Sequence, residues 1–228
     1  MALRQKAGKG SNEMKIVPPV VQGVRESVKT LEELLRDEEV CDGVFRKECV
    51  DGAEVADLEL NHCVFNGVTF SNCSFRGAQV SDVRFENCDL SNVSFFEAAF
   101  YRVEFVACKL LGTNLGECSL NHVLVHHCNA RYVNFSMSRM KQVSFAHSDM
   151  QSGSFEHCTF SPVCFDTCNL TEAEFSRATL RGMDFRSCQL AGIRLNPEDL
   201  RGVVVTSLQA LDFSRLLGLV VKDEIIEN

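Results

Sequence analysis

The sequence lacks most of the features that mark a membrane protein, a secreted disulfide scaffold or a familiar enzyme. It contains no long apolar run, no recognisable signal peptide, no Cys-x-x-Cys pair, no glycine-rich phosphate loop and no nucleophile elbow. The first three absences predict a reduced, cytoplasmic setting without membrane association. The last two argue against an enzyme, and no cofactor is expected. Aromatic variety is also missing, because tryptophan is absent and tyrosine occurs twice, against seventeen phenylalanines.

The phenylalanines follow a strict period of five. From Val40 to Leu195 every fifth residue is apolar over thirty-two consecutive positions, and fifteen of the seventeen phenylalanines fall on this register. A period of five matches neither the 3.6 residues of a helical turn nor the two residues of an alternating strand. A fixed short repeat instead predicts a solenoid, in which neighbouring repeats bury a continuous core.

The apolar residues of this register are predicted to face inward. The positions two residues before them form a second inward register, which holds small side chains. Nine of the twelve cysteines occupy it, together with valine and alanine. These cysteines point to the same interior as the phenylalanines, so they are predicted to be free thiols that pack as small hydrophobes. The other three residues of each unit are mostly polar and face outward.

Units such as Cys88-Asp89-Leu90-Ser91-Asn92 and Met183-Asp184-Phe185-Arg186 resemble the pentapeptide-repeat family, whose unit reads small-(Asp/Asn)-(Leu/Phe)-polar-Gly. The resemblance implies an all-β fold, a right-handed quadrilateral parallel β-helix with four pentapeptides in each coil of about 20 residues. The thirty-two register positions then give about eight coils, or a rod about 38 Å long at ~4.8 Å per coil.

Sorting the register by twenty gives four columns, of which two opposite columns hold most of the phenylalanines. The predicted structural core comprises Phe45, Phe65, Phe85, Phe105, Phe145, Phe165 and Phe185 on one wall, and Phe75, Phe95, Phe135, Phe155 and Phe175 on the opposite wall. One outward turn position holds glycine or asparagine in several units, as at Gly67 and Asn72, and His, Glu, Arg or Ser in others. Turns of mixed type are therefore expected.

Four segments are predicted along the chain. Residues 1–23 form a disordered or extended tail, in which the apolar stretch 17–21 lies across the first coil. Residues 24–39 have helical spacing and form an N-terminal capping helix, residues 40–200 form the β-helix, and residues 201–228 form a C-terminal cap and dimerisation module. The segment from Asn196 to Leu219 also resembles the C-terminal module of the gyrase-protecting, quinolone-resistance branch of the family, which pairs two rods.

The end of the chain carries more apolar surface than one cap requires. A short helix buries a single stripe against the last coil, so the remaining apolar residues are predicted to pair with a second copy in a twofold homodimer. The predicted dimer interface comprises Leu208, Leu211, Phe213, Leu216, Leu217 and Leu219.

The outward polar residues predict neither a catalytic nor a metal site. Five histidines share one outward turn position, His62, His122, His127, His147 and His157, and His126 lies one residue before it. Coil stacking places His127 above His147, which falls short of the four convergent ligands of a zinc site. Carboxylates such as Asp149, Glu156 and Glu172 are outward and separate, and a filled rod is expected to offer no pocket of ligand size.

The charge pattern is the remaining functional signal. The formal net charge is -8, with 31 acidic and 23 basic residues, and one wall carries much of the excess. This candidate acidic face comprises Glu54, Asp57, Glu97, Glu117, Glu156 and Glu174. In gyrase-protecting relatives, an acidic rod of duplex width mimics DNA in the basic saddle of the enzyme. The resemblance thus implies a bacterial protein partner, DNA gyrase or topoisomerase IV, without direct nucleic-acid binding. The alternative is a protein-interaction scaffold of the same family with no gyrase activity.

Two outward anomalies remain open to two interpretations. Around Val125, Ala130 and Met140, where inward residues are smaller, the outward set turns positive and gives a candidate contact belt, centred on His126, His127, Arg131 and Tyr132. The belt is either a contact patch or a by-product of core packing, in which the large side chain of Met150 in the next coil compensates for the small side chain of Ala130. Outward Phe96 and Tyr101 are likewise either an interaction surface or a flattened packing face.

Overall fold

The structure is a computed structural model that describes residues 14–222. The predicted tail up to residue 13 and the last residues of the predicted dimerisation module, 223–228, lie outside the described residues. Along the described chain the strands and helices are β1 (Arg25–Glu26), α1 (Leu31–Leu35), β2 (Glu39–Cys41), β3 (Gly43–Arg46), β4 (Cys49–Asp51), β5 (Glu59–Asn66), β6 (Thr69–Ser71), β7 (Gln79–Glu86), β8 (Ala99–Val106), β9 (Ser119–His126), β10 (Arg139–Ala146), β11 (Thr159–Phe160), β12 (Val163–Asp166) and α2 (Ser207–Phe213). Short 3-10 helices span Pro197–Leu200 and Ser214–Leu217.

The strands form parallel ladders in which each residue pairs with the residue twenty positions later. Phe45 pairs with Phe65, Phe65 with Phe85, and Phe85 with Phe105. The other walls are joined by single parallel bridges with the same offset, such as Ser74 to Ser94. The predicted parallel β-helix of four-unit coils is therefore confirmed.

The corners of the coil share one backbone conformation whatever residue occupies them. Twenty-four non-glycine residues have positive φ, and all except Glu38 lie at the predicted turn position, where φ ranges from 51° to 63°. Some corners close with a hydrogen bond, as from the Ala78 N–H to the Phe75 carbonyl at 3.2 Å, whereas others, such as Asp82, lie within the eight-residue strands. The turns are thus of mixed type while the backbone at the corner is uniform.

The phenylalanines predicted to face inward are buried in the structure. All twelve phenylalanines of the predicted core are at most 2% exposed. Rings in neighbouring coils stack, with centroids 5.2 Å apart for Phe45 and Phe65 and 4.9 Å apart for Phe65 and Phe85. Aromatic pairs at such distances contribute about 0.5 to 1.5 kcal/mol beyond the burial of their area. Ring stacking in the core therefore helps to hold neighbouring coils in register.

The small inward column has a polar role that the sequence pattern does not reveal. The Cys63 thiol donates to the Val40 carbonyl at 3.3 Å, and the Cys118 thiol to the Phe95 carbonyl at 3.0 Å. Thr113 and Ser138 occupy the same column and donate their hydroxyls to the carbonyls twenty-three residues earlier, each at 2.8 Å. A cysteine here is both a small hydrophobe and a weak donor that satisfies a buried backbone carbonyl.

The N-terminal cap differs from the predicted helix over 24–39. Arg25 and Glu26 extend the sheet by pairing with Gly43 and Val44, and the helix is limited to Leu31–Leu35. The helix begins at Thr30, whose hydroxyl accepts from the Glu33 N–H at 3.3 Å in a capping box, because this motif satisfies the free amides of a first turn. Val28, which lies within the predicted helix, is fully exposed, whereas Leu31 and Leu35 are buried in the core.

The predicted path of residues 17–21 across the first coil is wrong. The segment runs along one corner of the rod, where the Val17 N–H donates to His122 and the Val20 N–H to Asp82. Its course is set by polar side chains that lie far away in sequence, and apolar periodicity carries no information about them.

The solenoid has about seven turns, against the eight expected. The final coil is less regular, because the Phe160 N–H donates to the Thr179 hydroxyl and the Thr167 N–H to the Ser187 hydroxyl, instead of to backbone carbonyls. The helix α2 closes this end, and the Gln209 amide donates to the carbonyls of Phe185 and Cys188 at 2.9 and 3.0 Å.

Truncation of a stacked ring should show how much the core depends on this register. We expect Phe145→Ala to lower the free energy of unfolding by about 3 to 5 kcal/mol, since it removes a fully buried ring and leaves a cavity. The exposed Ser119→Ala in β9 is the control and should change it by less than about 0.5 kcal/mol. Equal destabilisation in a denaturant titration would contradict the assignment of the inward register.

Because the corners have positive φ, an alanine-to-glycine substitution should have opposite effects on stability at a corner and in a strand. Ala107 has a φ of 53°, a conformation that costs an L-residue about 1 to 2 kcal/mol and glycine almost nothing. Ala107→Gly should therefore raise the free energy of unfolding by up to about 1 kcal/mol, whereas Ala99→Gly in the extended strand β8 should lower it by about 0.5 to 1 kcal/mol. Thermal melts in which both variants lose stability would contradict the strained corner.

Candidate interaction surfaces

The acidic face runs along the wall whose single bridges join Glu54 to Ser74 and Ser74 to Ser94. Four of its six predicted carboxylates are exposed, those of Glu54, Asp57, Glu97 and Glu117, while Glu156 and Glu174 are partly exposed. Successive coils bring these residues onto one side of the rod. The wall lacks a carboxylate at Ser74 and Gly77, between Asp57 and Glu97, so its role as a binding face stays a prediction.

Ion pairs reduce the charge of this face. The Arg76 guanidinium lies 2.7 Å from Glu97, and Arg194 lies 3.3 Å from Glu174. His157 lies 3.7 Å from Glu156, a contact that offsets charge only when the histidine is protonated. Within residues 14–222, Glu54, Asp57 and Glu117 have no side-chain ion pair, so the unneutralised charge lies in the first half of the rod.

The contact belt contains a compact group of three histidines. The ring centroids of His127 and His147 are 5.0 Å apart and stacked, and those of His126 and His127 are 4.1 Å apart. Burial lowers the pKa of His126, and the neighbouring His127 and His147 lower it further. Arg131 lies over the ring of Tyr132, 5.7 Å from its centroid, so the belt presents a cationic and aromatic surface.

This histidine group does not amount to a metal centre. Among residues 14–222, no group of three or more His, Cys, Asp or Glu side chains has the arrangement needed to hold a metal ion. The smaller residues beneath the belt, Val125, Ala130 and Met140, are all buried, as is Met150 in the next coil. The core is thus filled at this level, and the role of the belt as a contact patch stays a prediction.

A second polar site lies at the corner formed by His62, Asp82, Arg102, His122 and Gln142, a column with a spacing of twenty. Asp82 is only 3% exposed, and Arg102 donates to it through both Nε, at 2.7 Å, and an amino group. Burial raises the pKa of the Asp82 carboxyl, but the hydrogen bonds from Arg102 and Val20 outweigh it and lower the pKa overall. This corner was not predicted from the sequence, although an Asp and an Arg twenty residues apart were a usable signal.

Outward Tyr101 borders the same corner. Its ring lies 4.5 Å from the Arg102 guanidinium and 6.1 Å from the His122 ring, and its side chain is 42% exposed. Phe96 lies on another wall, 5.6 Å from Arg76. The two aromatic residues therefore belong to different surfaces.

The N-terminal end of the rod carries an open cleft, at a place that the expectation for a filled rod did not consider. A cleft of about 490 Å³ lies between α1 and the first coil, and its polar lining is Glu32, Arg36, Glu38, Asp51 and Glu54. Its lining comes from α1, the two residues Arg36 and Glu38 that follow it, and the wall at 50–56. The lining includes no serine, cysteine, histidine or lysine that could act as a nucleophile.

The C-terminal end exposes an apolar surface, with two changes to the predicted set. Leu216 is partly buried and packs against the core. Phe213 is 8% exposed and packs in the core, because it is the residue that α2 buries against the last coil. Leu208 and Leu217 are 77% and 61% exposed, and Leu211 and Leu219 are also exposed. An apolar groove of about 190 Å³, lined in part by Leu200, Val203 and Leu217, lies beside them. Phe213 therefore belongs to the cap and not to an outer interface.

No helix among residues 14–222 is long and apolar enough to cross a membrane.

Comparison with known families agrees with the architecture. A family model described as a pentapeptide repeat region matches residues 78–148 and 138–213, and one described as pentapeptide repeats (9 copies) matches residues 51–94. Because the first of these spans more than half of the chain, the protein belongs to the pentapeptide-repeat family. No curated protein sequence matches the chain.

Solved structures with the same fold include QnrB1, described as a plasmid-mediated fluoroquinolone resistance protein. One trypsin-treated variant of QnrB1 has a TM-score of 0.53 and 20% identity over 79% of this chain and 100% of its own. A second has a TM-score of 0.50 and 19% identity over 78% and 99%. HetL, from the cyanobacterium Nostoc sp. strain PCC 7120, has a TM-score of 0.43 and 16% identity over 77% and 94%. At these identities the QnrB1 likeness shows the fold alone.

Thiol reactivity can test the exposure of the cysteines. All twelve are free, nine are buried, Cys41 and Cys164 are half-buried, and Cys49 is exposed. Burial raises the pKa of Cys118 and of Cys168 to about 12, and that of Cys63 to about 11. The thiolate is the reactive form, so we expect a thiol reagent to label Cys49 first in the native protein. Mass spectrometry that found all twelve labelled at similar rates before denaturation would contradict the buried column.

Proposed function

We propose that this protein is a non-enzymatic interaction rod that binds a type II topoisomerase as a mimic of duplex DNA. The carrying observation is one wall of the β-helix on which the carboxylates of Glu54, Asp57, Glu97 and Glu117 are exposed. A basic DNA groove attracts aligned carboxylates as it attracts phosphates, and salt weakens both interactions. DNA gyrase is the proposed target, because the fold is shared with a quinolone-resistance protein.

A second candidate is a scaffold for another protein partner. It is supported by the ion pairs of Glu97 with Arg76 and Glu174 with Arg194, which reduce the charge of the acidic face. The contact belt around His126, His127, Arg131 and Tyr132 would then be the binding surface. This candidate predicts an unchanged response of gyrase to the protein.

A supercoiling assay separates the two candidates. We expect the protein to change gyrase supercoiling in the presence of a quinolone, and Glu54→Lys with Glu117→Lys to abolish the effect by reversing two of the three unneutralised charges of the face. The control, Glu59→Lys with Glu198→Lys, makes the same change in net charge on other surfaces and should retain the effect. No effect of the native protein, or equal loss in both double variants, would contradict the topoisomerase proposal.

We also propose that the rod is a homodimer joined through its C-terminal surface. The support is the exposure of Leu208, Leu211, Leu217 and Leu219 beside the apolar groove at Val203. Burying exposed leucines of this kind stabilises association by about 1.5 to 3 kcal/mol for each side chain fully removed from water. A twofold contact lets the leucines of each copy fill the groove of the other.

Sedimentation tests this assembly. The full-length protein should sediment as a dimer at micromolar concentration, and Leu208→Glu with Leu217→Glu should yield a monomer, since a buried carboxylate opposes the contact. The control, Val28→Glu, places the same charge at a fully exposed site near the other end of the rod and should leave the dimer intact. A monomeric native protein would overturn the proposal.

A further inference from the structure

Residues 15–20 lie on the rod as an extended strap and are held by hydrogen bonds that involve their own backbone N–H and carbonyl groups. The Val17 N–H donates to Nδ1 of His122 at 3.2 Å, and the Val20 N–H donates to the Asp82 carboxylate at 2.8 Å. The Gln142 amide donates to the Lys15 carbonyl at 3.4 Å. All three partners belong to one corner column, so the strap follows the rod axis for several coils.

The spacing of the strap matches the spacing of the coils. His122 and Asp82 are forty residues, or two coils, apart in the chain, which corresponds to about 9.6 Å along the axis. Three residues of polyproline II chain, from Val17 to Val20, advance about 9.3 Å. An extended segment can therefore present one N–H at every third residue to a corner acceptor on every second coil.

The two residues between these donors are Pro18 and Pro19, which have no N–H to satisfy. Proline at these positions also favours the extended conformation before binding, which reduces the entropy lost when the segment is ordered. The pattern hydrophobic-Pro-Pro-hydrophobic is thus complementary to the corner in both spacing and donors.

The corner is ready to accept such a segment without the strap. Asp82 is neutralised by Arg102 through two hydrogen bonds, so its carboxylate is held in place as an acceptor. Tyr101 offers an exposed aromatic ring beside it, and polyproline II ligands commonly pack on aromatic side chains. Asn121, next to His122, has a covered side-chain oxygen that has no hydrogen-bond partner among residues 14–222.

The strap itself is held weakly. None of residues 14–22 is buried, and the side chains of Val17 and Val20 are 36% and 51% exposed. A segment with few buried apolar contacts opens at a small cost in free energy, whereas the ladder beneath it stays closed.

We propose that this corner is a binding track for extended Pro-Pro segments, that residues 15–20 are its resident ligand, and that a Pro-Pro segment of a partner protein displaces them. The partner contributes two backbone N–H groups, three residues apart, to His122 and Asp82. This proposal is independent of the topoisomerase proposal, since the corner and the acidic face lie on different walls.

A labelled synthetic peptide of residues 14–22 is the probe, and fluorescence anisotropy measures its binding to the full-length protein. Val17→Pro with Val20→Pro in the protein removes both donors of its own strap, so we expect this variant to bind the peptide at least tenfold more tightly than the native protein does. In the peptide, Val20→Pro should weaken binding at least tenfold, whereas Val21→Pro, at a position that makes no hydrogen bond to the corner, should weaken it less than threefold.

Hydrogen exchange of the native protein gives a second reading that needs no protein variant. The amides of Val17 and Val20 should exchange at least tenfold more slowly than that of Val21, and saturating unlabelled peptide should remove this protection. Absence of the protection, equal binding of the two proline-substituted peptides, or failure of the strap variant to bind the peptide would each overturn the proposal.

Discussion

The stacking of one coil on the next, through phenylalanine rings inside and backbone hydrogen bonds in the walls, is the constraint on which the rest of this structure depends. Rings twenty residues apart can stack only if every coil contains the same number of residues. A single residue inserted within a coil would shift all later inward residues to outward positions. The register therefore runs unbroken from Val40 to Leu195, and the corners accept positive φ even at Thr167, a β-branched residue for which that conformation is costly.

The same constraint explains which features were predictable from sequence. Inward positions repeat, so the fold, the coil length and the buried phenylalanines follow from counting. The extent of α1 does not repeat, and it depends on the competition between a capping box at Thr30 and strand pairing at Arg25. The position of Phe213 in the cap depends on how α2 docks, and that docking is set by hydrogen bonds from Gln209 to the last coil.

The candidate surfaces were predictable only where their residues recur at a spacing of twenty and so lie on one wall of the rod. The acidic face was found because its residues share one wall, but its ion pairs needed side-chain positions, since Arg76 reaches the neighbouring coil to meet Glu97. The strap was missed for a related reason. Its partners His122 and Asp82 lie 105 and 62 residues away from the strap residues that they bind. A local pattern of apolar residues contains no trace of such contacts.

The coil spacing also limits how much charge one wall can display. Two like charges on adjacent coils, ~4.8 Å apart, repel by about 0.9 kcal/mol even in water, and by more near a protein surface. The chain instead pairs opposite charges between neighbouring coils, as in Asp82 with Arg102, Glu104 with Arg84 and Asp89 with Lys109. Such pairing stabilises the stacked coils. It also lowers the net charge that the surface displays, so the rod resembles duplex DNA less closely. If the protein mimics DNA, the contact must therefore centre on the first coils, where Glu54 and Asp57 are exposed beside the acidic cleft under α1.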